Sequence, residues 1–248
     1  IVENYTVNVN TTIQSIDTST STTLEDKIYP KYSTIAIEAY LELLKNVDES
    51  YFTLKWKKDI IKIEILGDPS FLQRDTFNYV IGDLNRIIPN KEFLLTENNG
   101  DIVIYFGDYS SWNDAIQGVE PTTTFETATW FQFYTNENNV TNSYGWLHNQ
   151  FQFKNIDGWE TLTNYEIEVC SIYAVRAVVT YSLFPLPDAV LDVDKYGPSM
   201  YTPTFCAYRE TTAYSLLDEE LLGIHFDERL LNLDSTEKMI NAVNSFNE

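Results

Sequence analysis

Basic side chains are what this chain most lacks: 16 Lys and Arg stand against 37 Asp and Glu in 248 residues, a formal net charge of −21. Nucleic acid and anionic lipid are bound by cations that displace counterions, so neither is expected as a partner of such a surface. The acidic excess reads as a solubility device, and no cation partner is inferred from it. Cysteine is nearly absent. Cys170 and Cys206 allow at most one internal disulfide and no cysteine-built metal site; a buried free pair is the expectation, with a disulfide the alternative in an oxidising compartment. Histidine is as rare, since His148 and His225 are the only two and neither has a partner at His-x-x-x-His spacing. No internal repeat and no signal peptide is visible. A chain that starts at Ile1 rather than Met is expected to have lost an upstream segment.

Long apolar runs are missing too, except in one place. Thr163 to Asp188 reads TNYEIEVCSIYAVRAVVTYSLFPLPD, and from Val169 to Pro187 its single formal charge is Arg176. The run is longer than a strand and meets no Gly or Pro before Pro185, which predicts a helix. Thr163 or Asn164 can cap its start, where Glu166 and Glu168 suit the helix N-terminus. A helix apolar all round belongs inside a domain, packed on a sheet. It has the length of a membrane span, but Arg176 at its centre, with Ser171, Thr180 and Ser182, favours a buried core helix. The guanidinium needs a carboxylate there, and Asp188 and Glu210 are the expected partners.

What is present in quantity is core material: 44% hydrophobic and 15% aromatic residues, enough for one large ordered domain. Residues 1–30 are rich in Thr, Ser and Asn and read as a flexible N-terminal arm, of the kind that follows a secretion signal or an upstream lipid anchor. Tyr32 to Val47 predicts an amphipathic helix. Ile61, Ile63 and Ile65 alternate with Lys62, Glu64 and Leu66, a strand with one core face, ended by Gly67. Asp68 as N-cap and Pro69 at the first position then open a helix with the stripe Phe77, Val80, Ile81, Leu84, Ile87 and Ile88. Lys91 to Thr96 and Asp101 to Phe106 are strands, the second apolar on both faces and therefore central. Ser110 to Thr127 reads as a loop over the sheet. Thr127 to Tyr134 and Tyr144 to Phe153 read as two more strands, placing His148 in a strand, joined by an Asn-rich turn. After the long helix come an irregular stretch, a helix over Leu216 to Leu222, and a last helix opened by Asp234 and Glu237 at capping-box spacing. The fold class expected is α+β, a mixed twisted sheet packed on a long buried helix, with a smaller, mostly helical C-terminal part.

The stretches KWKKDIIKIEILGDP, FNYVIGDLNRIIP and GDIVIYFGDY resemble the opening of a zincin-like, metalloprotease-like family of secreted bacterial proteins of unknown function. Lys55-Trp56, Asp83-Leu84-Asn85 and Tyr105-Phe106 follow that family's order. Ser199 to Tyr201 and LLDEELLGIHFDERLLNLDSTEKMI resemble its later segments, so the resemblance covers about residues 50 to 245. It implies a zincin-like domain over residues 31–248, with a sheet part to about 184 and a C-terminal part from about 185. It also implies a helix in which residues at i and i+4 face a metal and a Glu at i+1 serves as base. Here those positions hold Ala177, Tyr181 and Val178, with Phe184 where the family has Gly; Asp188 corresponds to the Asp after the helix. The resemblance thus implies the scaffold of a zincin without its chemistry.

The candidate sites read from the residues are few. His225, Phe226, Asp227 and Glu228 form a cluster of metal-binding type, with a turn of solvated acids the expected reading. Asp188, Asp192 and Asp194 offer oxygen ligands for calcium, but read as a solvated turn. Glu64, Glu166 and Asp101 are of the types that pair as acid and base, with no spacing to support it. Arg176, Tyr173, Tyr181, Phe184 and Asp188 are the cleft candidates, against a reading in which Arg176 is a structural ion pair and the aromatics are core. No catalytic residue, metal or cofactor is assigned. The expected function is a non-catalytic, extracytoplasmic binding or interaction module for a protein, peptide or glycan. The alternative is a peptidase or amidase with an unconventional site built on Asp188 and Tyr181.

Overall fold

Alternation makes the first strand. In β1 (Ile60–Gly67) Ile61 and Ile63 are buried while Lys62 between them is exposed. The computed structural model describes residues 31–46, 54–107, 111, 129–136, 139–147, 162–184, 191–202 and 212–246, all but Lys31 within one unit, Tyr32–Glu248. The expected arm over residues 1–30 and the loop over 112–127 lie outside them, as does His148. Gly67 ends β1 with φ of +80°, and a Cβ there would sit 1.9 Å from the Phe106 carbonyl oxygen. Only glycine fits that turn. The next helix, α2 (Phe71–Ile87), is not capped by Asp68. Ser70 is its N-cap, in a capping box with Gln73, because the Asp68 N–H is still donating to the Phe106 carbonyl (3.0 Å). Phe77, Val80, Leu84 and Ile88 are buried, while Ile81 and Ile87 are half-buried.

Among the described residues five strands form one mixed sheet in the order β2-β1-β3-β5-β4, with β2 at Glu92–Thr96, β3 at Ile102–Phe106, β4 at Thr129–Asn136 and β5 at Asn139–Leu147. The pairs β1–β2, β1–β3 and β3–β5 are parallel, and only the edge strand β4 runs antiparallel. The sheet is therefore mixed, as expected, and mostly parallel. All five residues of β3 are buried, which fits its central place. The boundary of β5 differs from the expectation. The strand starts at Asn139, inside the supposed Asn-rich turn, because Val140 is buried and its N–H donates to the Lys55 carbonyl (2.9 Å). One buried residue and a backbone partner outweigh the turn propensity of the asparagines around it.

The helices pack on one face of the sheet. Ile61, Ile63, Ile102, Ile104, Phe106 and Leu147 share the core with helical residues, whereas Val103, Tyr105 and Trp146, buried on the opposite face, are not part of that cluster. The outward edge of β2 is closed by Asn85, whose side chain accepts from the Phe93 N–H (2.8 Å) and donates to its carbonyl (3.0 Å). An edge strand so capped is blocked from pairing with another chain at that residue.

The long helix, α3 (Asn164–Leu183), starts at the Thr163 cap with Glu166 completing a capping box. From Val169 to Leu183 every residue is buried except Ile172, Tyr173 and Tyr181, which are half-buried. It packs against α2, β4 and β5. Among the described residues no helix is long and apolar enough to cross a membrane. Cys170 is fully buried and disulfide-bonded, which corrects the expectation of a free thiol; the other cysteine, Cys206, lies outside the described residues. Among the described residues the remaining helices are α1 (Thr34–Asn46), α4 (Val193–Tyr196), α5 (Leu216–His225) and α6 (Thr236–Asn244). The α6 cap is Ser235 rather than Asp234, which pairs with Lys238 instead (2.6 Å).

Gly82 lies mid-helix on the exposed side of α2, and a Cβ there would meet nothing within 4 Å. Gly82→Ala is expected to raise stability by about 0.5–1 kcal/mol, because the backbone gains nothing from glycine at a helical position. Urea unfolding checks it: the midpoint should rise with the slope unchanged. A lower midpoint would mean that this face is not free in solution.

Candidate functional site

The helix face singled out by the family resemblance is filled by apolar side chains. Ala177 and Val178 are 2% and 0% exposed. Tyr181 donates its hydroxyl to the Met200 carbonyl (2.7 Å). Phe184 is fully buried and stacks on the His225 ring at 3.9 Å, with Tyr201 edge-on at 5.4 Å. Tyr181 also meets Tyr201, with ring centroids 6.2 Å apart, so Tyr181 and Phe184 share one aromatic neighbour. Tyr173 is half-buried against the same core. Asp188 lies outside the described residues.

Arg176 does not join them. It is 6% exposed and donates to Asp83 Oδ2 (2.7 Å), with the Tyr214 ring 4.8 Å from its guanidinium carbon. The expected partners were Asp188 and Glu210, which are outside the described residues; the partner found is Asp83, because α2 packs directly on α3. Asp83 in turn faces Arg86 (3.5 Å), and Arg86 makes a two-pronged contact with Glu219 of α5. Helices α3, α2 and α5 are thus joined by one chain of alternating charges.

One expectation about acids changes. Asp227 does not sit in a solvated turn: it is 5% exposed, accepts from Tyr32 (3.0 Å), and is gripped by Arg229 at 2.8 and 2.7 Å. His225 is completely buried. Glu228 is exposed, and Asp192 caps α4 through the Asp194 N–H, as solvated turn residues do. Glu64, Asp101 and Glu166 do not converge. Glu64 accepts from the Gly100 N–H, Asp101 from the Lys62 N–H and Lys58, and Glu166 from Thr163.

A cluster that the sequence reading passed over lies where the chain enters β1. Lys55 is 1% exposed, and its Nζ donates to His225 Nδ1 (3.0 Å) and to the His225 carbonyl (3.1 Å). The Tyr40 hydroxyl, on α1, is 3.3 Å from the same Nδ1. With Nδ1 accepting, the ring proton sits on Nε2, which is buried without a partner among the described residues. Burial pushes the Lys55 ammonium down to about 7. Burial, and then the Lys55 charge, hold His225 well below its ordinary value, and burial raises the Tyr40 phenol. Trp56, next in the chain, donates Nε1 to the Ser182 carbonyl at the end of α3 (3.0 Å). In KWKK, Lys55 looks like one more solvated lysine; the signal that marks it is the buried Trp56 beside it.

Asp218 is the most deeply buried acid among the described residues. It is 1% exposed and accepts from Ser199 Oγ, the Met200 N–H, and the hydroxyl and N–H of Ser215. Burial raises it, and those four donors offset part of the rise. Its role is to dock the segment after α4 onto α5. Among the described residues no three His, Cys, Asp or Glu side chains are grouped to hold a metal ion. No protein-family model and no curated protein matches this chain.

Breaking the Arg176–Asp83 pair should be asymmetric, since the side chains are 8% and 28% exposed. Asp83→Asn leaves a buried guanidinium without its counter-charge and is expected to cost about 3 kcal/mol or more. Arg176→Met leaves a carboxylate that still reaches solvent and Arg86, and is expected to cost clearly less. Chemical denaturation of both variants decides it; equal losses would mean that Arg86 does not hold Asp83.

Proposed function

We propose that this chain is a non-catalytic binding or interaction module, built on a zincin-like scaffold that has no metal site, and that it works outside the cytoplasm. The observation that carries the reading is the occupancy of the motif face of α3. A zincin uses ligands at i and i+4 and a Glu to pass the proton of a metal-bound water. Here Ala177 has no lone pair to give, Val178 carries no proton, and the Tyr181 hydroxyl is committed to a backbone carbonyl (2.7 Å). Phe184 then fills the space beyond with an aromatic stack at 3.9 Å. A mixed sheet with one long helix packed across β4 and β5 supports the scaffold. The disulfide at Cys170 supports an oxidising setting.

Binding needs exposed contact groups, and α2 offers them. Phe71 and Tyr79 are 80% and 72% exposed, and the space beside Gly82 is open. Exposed aromatics of this kind suit a protein, peptide or glycan partner better than an ionic one.

The test is elemental analysis of protein purified without chelator, joined to a peptidase assay on a mixed peptide library. Less than a tenth of an equivalent of metal, about the level of adventitious carry-over, and no cleavage is the expected result. One equivalent of zinc, lost on chelation together with peptidase activity, would overturn the reading in favour of the hydrolase alternative.

A further inference from the structure

A lysine buried among neutral acceptors is an unusual thing to build into a core. Lys55 Nζ reaches one imidazole nitrogen at 3.0 Å and one carbonyl at 3.1 Å, both of His225, and no carboxylate pairs with it among the described residues. The cost of holding a cation there is that of desolvation with no counter-charge. We propose that Lys55 and His225 form a proton-operated latch, in which proton uptake releases the segment 54–57 from the ends of α3 and α5.

Each contact the latch would release is short. The Lys55 carbonyl accepts from the Val140 N–H (2.9 Å), the Lys57 N–H donates to Asn139 Oδ1 (3.2 Å), and Trp56 closes the end of α3 at Ser182 (3.0 Å). Lys55 itself ties this segment to the last residue of α5. Its release frees the Ser182 carbonyl and uncovers the Phe184–His225 stack.

The charges around the latch do not cancel its proton sensitivity. From α1 comes Tyr40, a neutral phenol. Beyond α5, Asp227 is spent on Arg229 and Tyr32, a pair of net zero charge. The end of α3 contributes Phe184 and the Ser182 carbonyl, and β5 contributes Asn139 and Val140, none of which titrates.

The sign follows from linkage. With Lys55 lowered to about 7 when buried, the closed latch binds fewer protons than the open one between that value and about 10.4, so it weakens as pH falls through that window. His225, held well below its ordinary value, adds a second loss below about 6.5. Two protons entering one dry site repel each other, so the steps belong to the pair.

Amide exchange of Lys55, Trp56 and Lys57 in the full chain, corrected for intrinsic rates, reads the opening directly. The opening equilibrium is expected to rise about tenfold per unit of pH decrease between about 9 and 7, and again below about 6.5. Lys55→Met should flatten the upper limb and keep the lower one; His225→Gln should do the reverse. An opening equilibrium independent of pH in the natural chain, or an unchanged upper limb in Lys55→Met, overturns the latch. Should Lys55→Met fail to fold, nitrogen-detected titration of the Lys55 amine in the natural chain decides instead. A midpoint near neutrality supports the latch, and one near the ordinary lysine value of about 10.4 overturns it.

Discussion

A helix buried all round must find partners for its polar atoms inside the protein, and in α3 that constraint locates nearly everything else. Thr180 and Ser182 turn their hydroxyls back on the helix, to the carbonyls of Arg176 and Val178 at 2.7 Å each. Most of what the helix cannot satisfy for itself is met from outside, the Ser171 hydroxyl and Arg176 Nε being buried without a partner among the described residues. Arg176 draws in Asp83 of α2, the Ser182 carbonyl draws in Trp56, Tyr181 takes the Met200 carbonyl, and Thr180 meets Tyr214 at 2.9 Å. Each of those contacts anchors a different stretch of chain, so the polar atoms of one apolar helix act as the addresses at which the rest of the domain docks.

The trio Asp83-Leu84-Asn85 shows how densely such roles are packed. Asp83 holds α3, Leu84 is fully buried in the core, and Asn85 caps the outer edge of β2 at Phe93. Three successive residues on a helix point about 100° apart, so they reach three different surroundings. The same geometry explains why the segment after α4 stays in place. Asp218, the third residue of α5, completes its own capping box and holds Ser199 and Met200 as well. A single carboxylate there does the work of two local signals.

Where the sequence could be read, the signal was periodic. The alternation of Ile61 and Ile63, the all-apolar β3 and the run from Val169 to Leu183 each impose a burial pattern that only one kind of element satisfies. The Thr163 cap was legible in place, while two others were legible as types and misplaced by a residue or two: Ser70 rather than Asp68, Ser235 rather than Asp234. Any of those side chains can cap, and the backbone bond from Asp68 to Phe106, a long-range contact, decided the first of them. The Asn-rich start of β5 was misread for a similar reason, since its pairing with β4 and Lys55 is tertiary. Of the candidate site, the lack of metal-ligating side chains at Ala177 and Val178 was visible in the letters. The partner of Arg176 was not, because Asp83 is 93 residues away, and neither was Lys55, because its one mark in a run of lysines is the neighbouring Trp56, whose burial is tertiary.

The same packing separates the ionisable chemistry from the motif face. On the middle turns of α3 the neighbours are Ala177 and Val178, and the one charge, Arg176, is neutralised by Asp83. The group that burial brings close to neutrality, Lys55, lies at the helix's end, where it meets His225 beneath Phe184. Phe184 is common to both places: it caps the end of α3, and its ring covers the imidazole. A glycine there would leave His225 with an open face and room for water, which would let a charged imidazole and a charged Lys55 be solvated side by side. The aromatic ring forbids that. Closing that face of α3 and drying the lysine are therefore one structural feature, since the same ring does both and leaves a polar pair whose protonation the fold opposes.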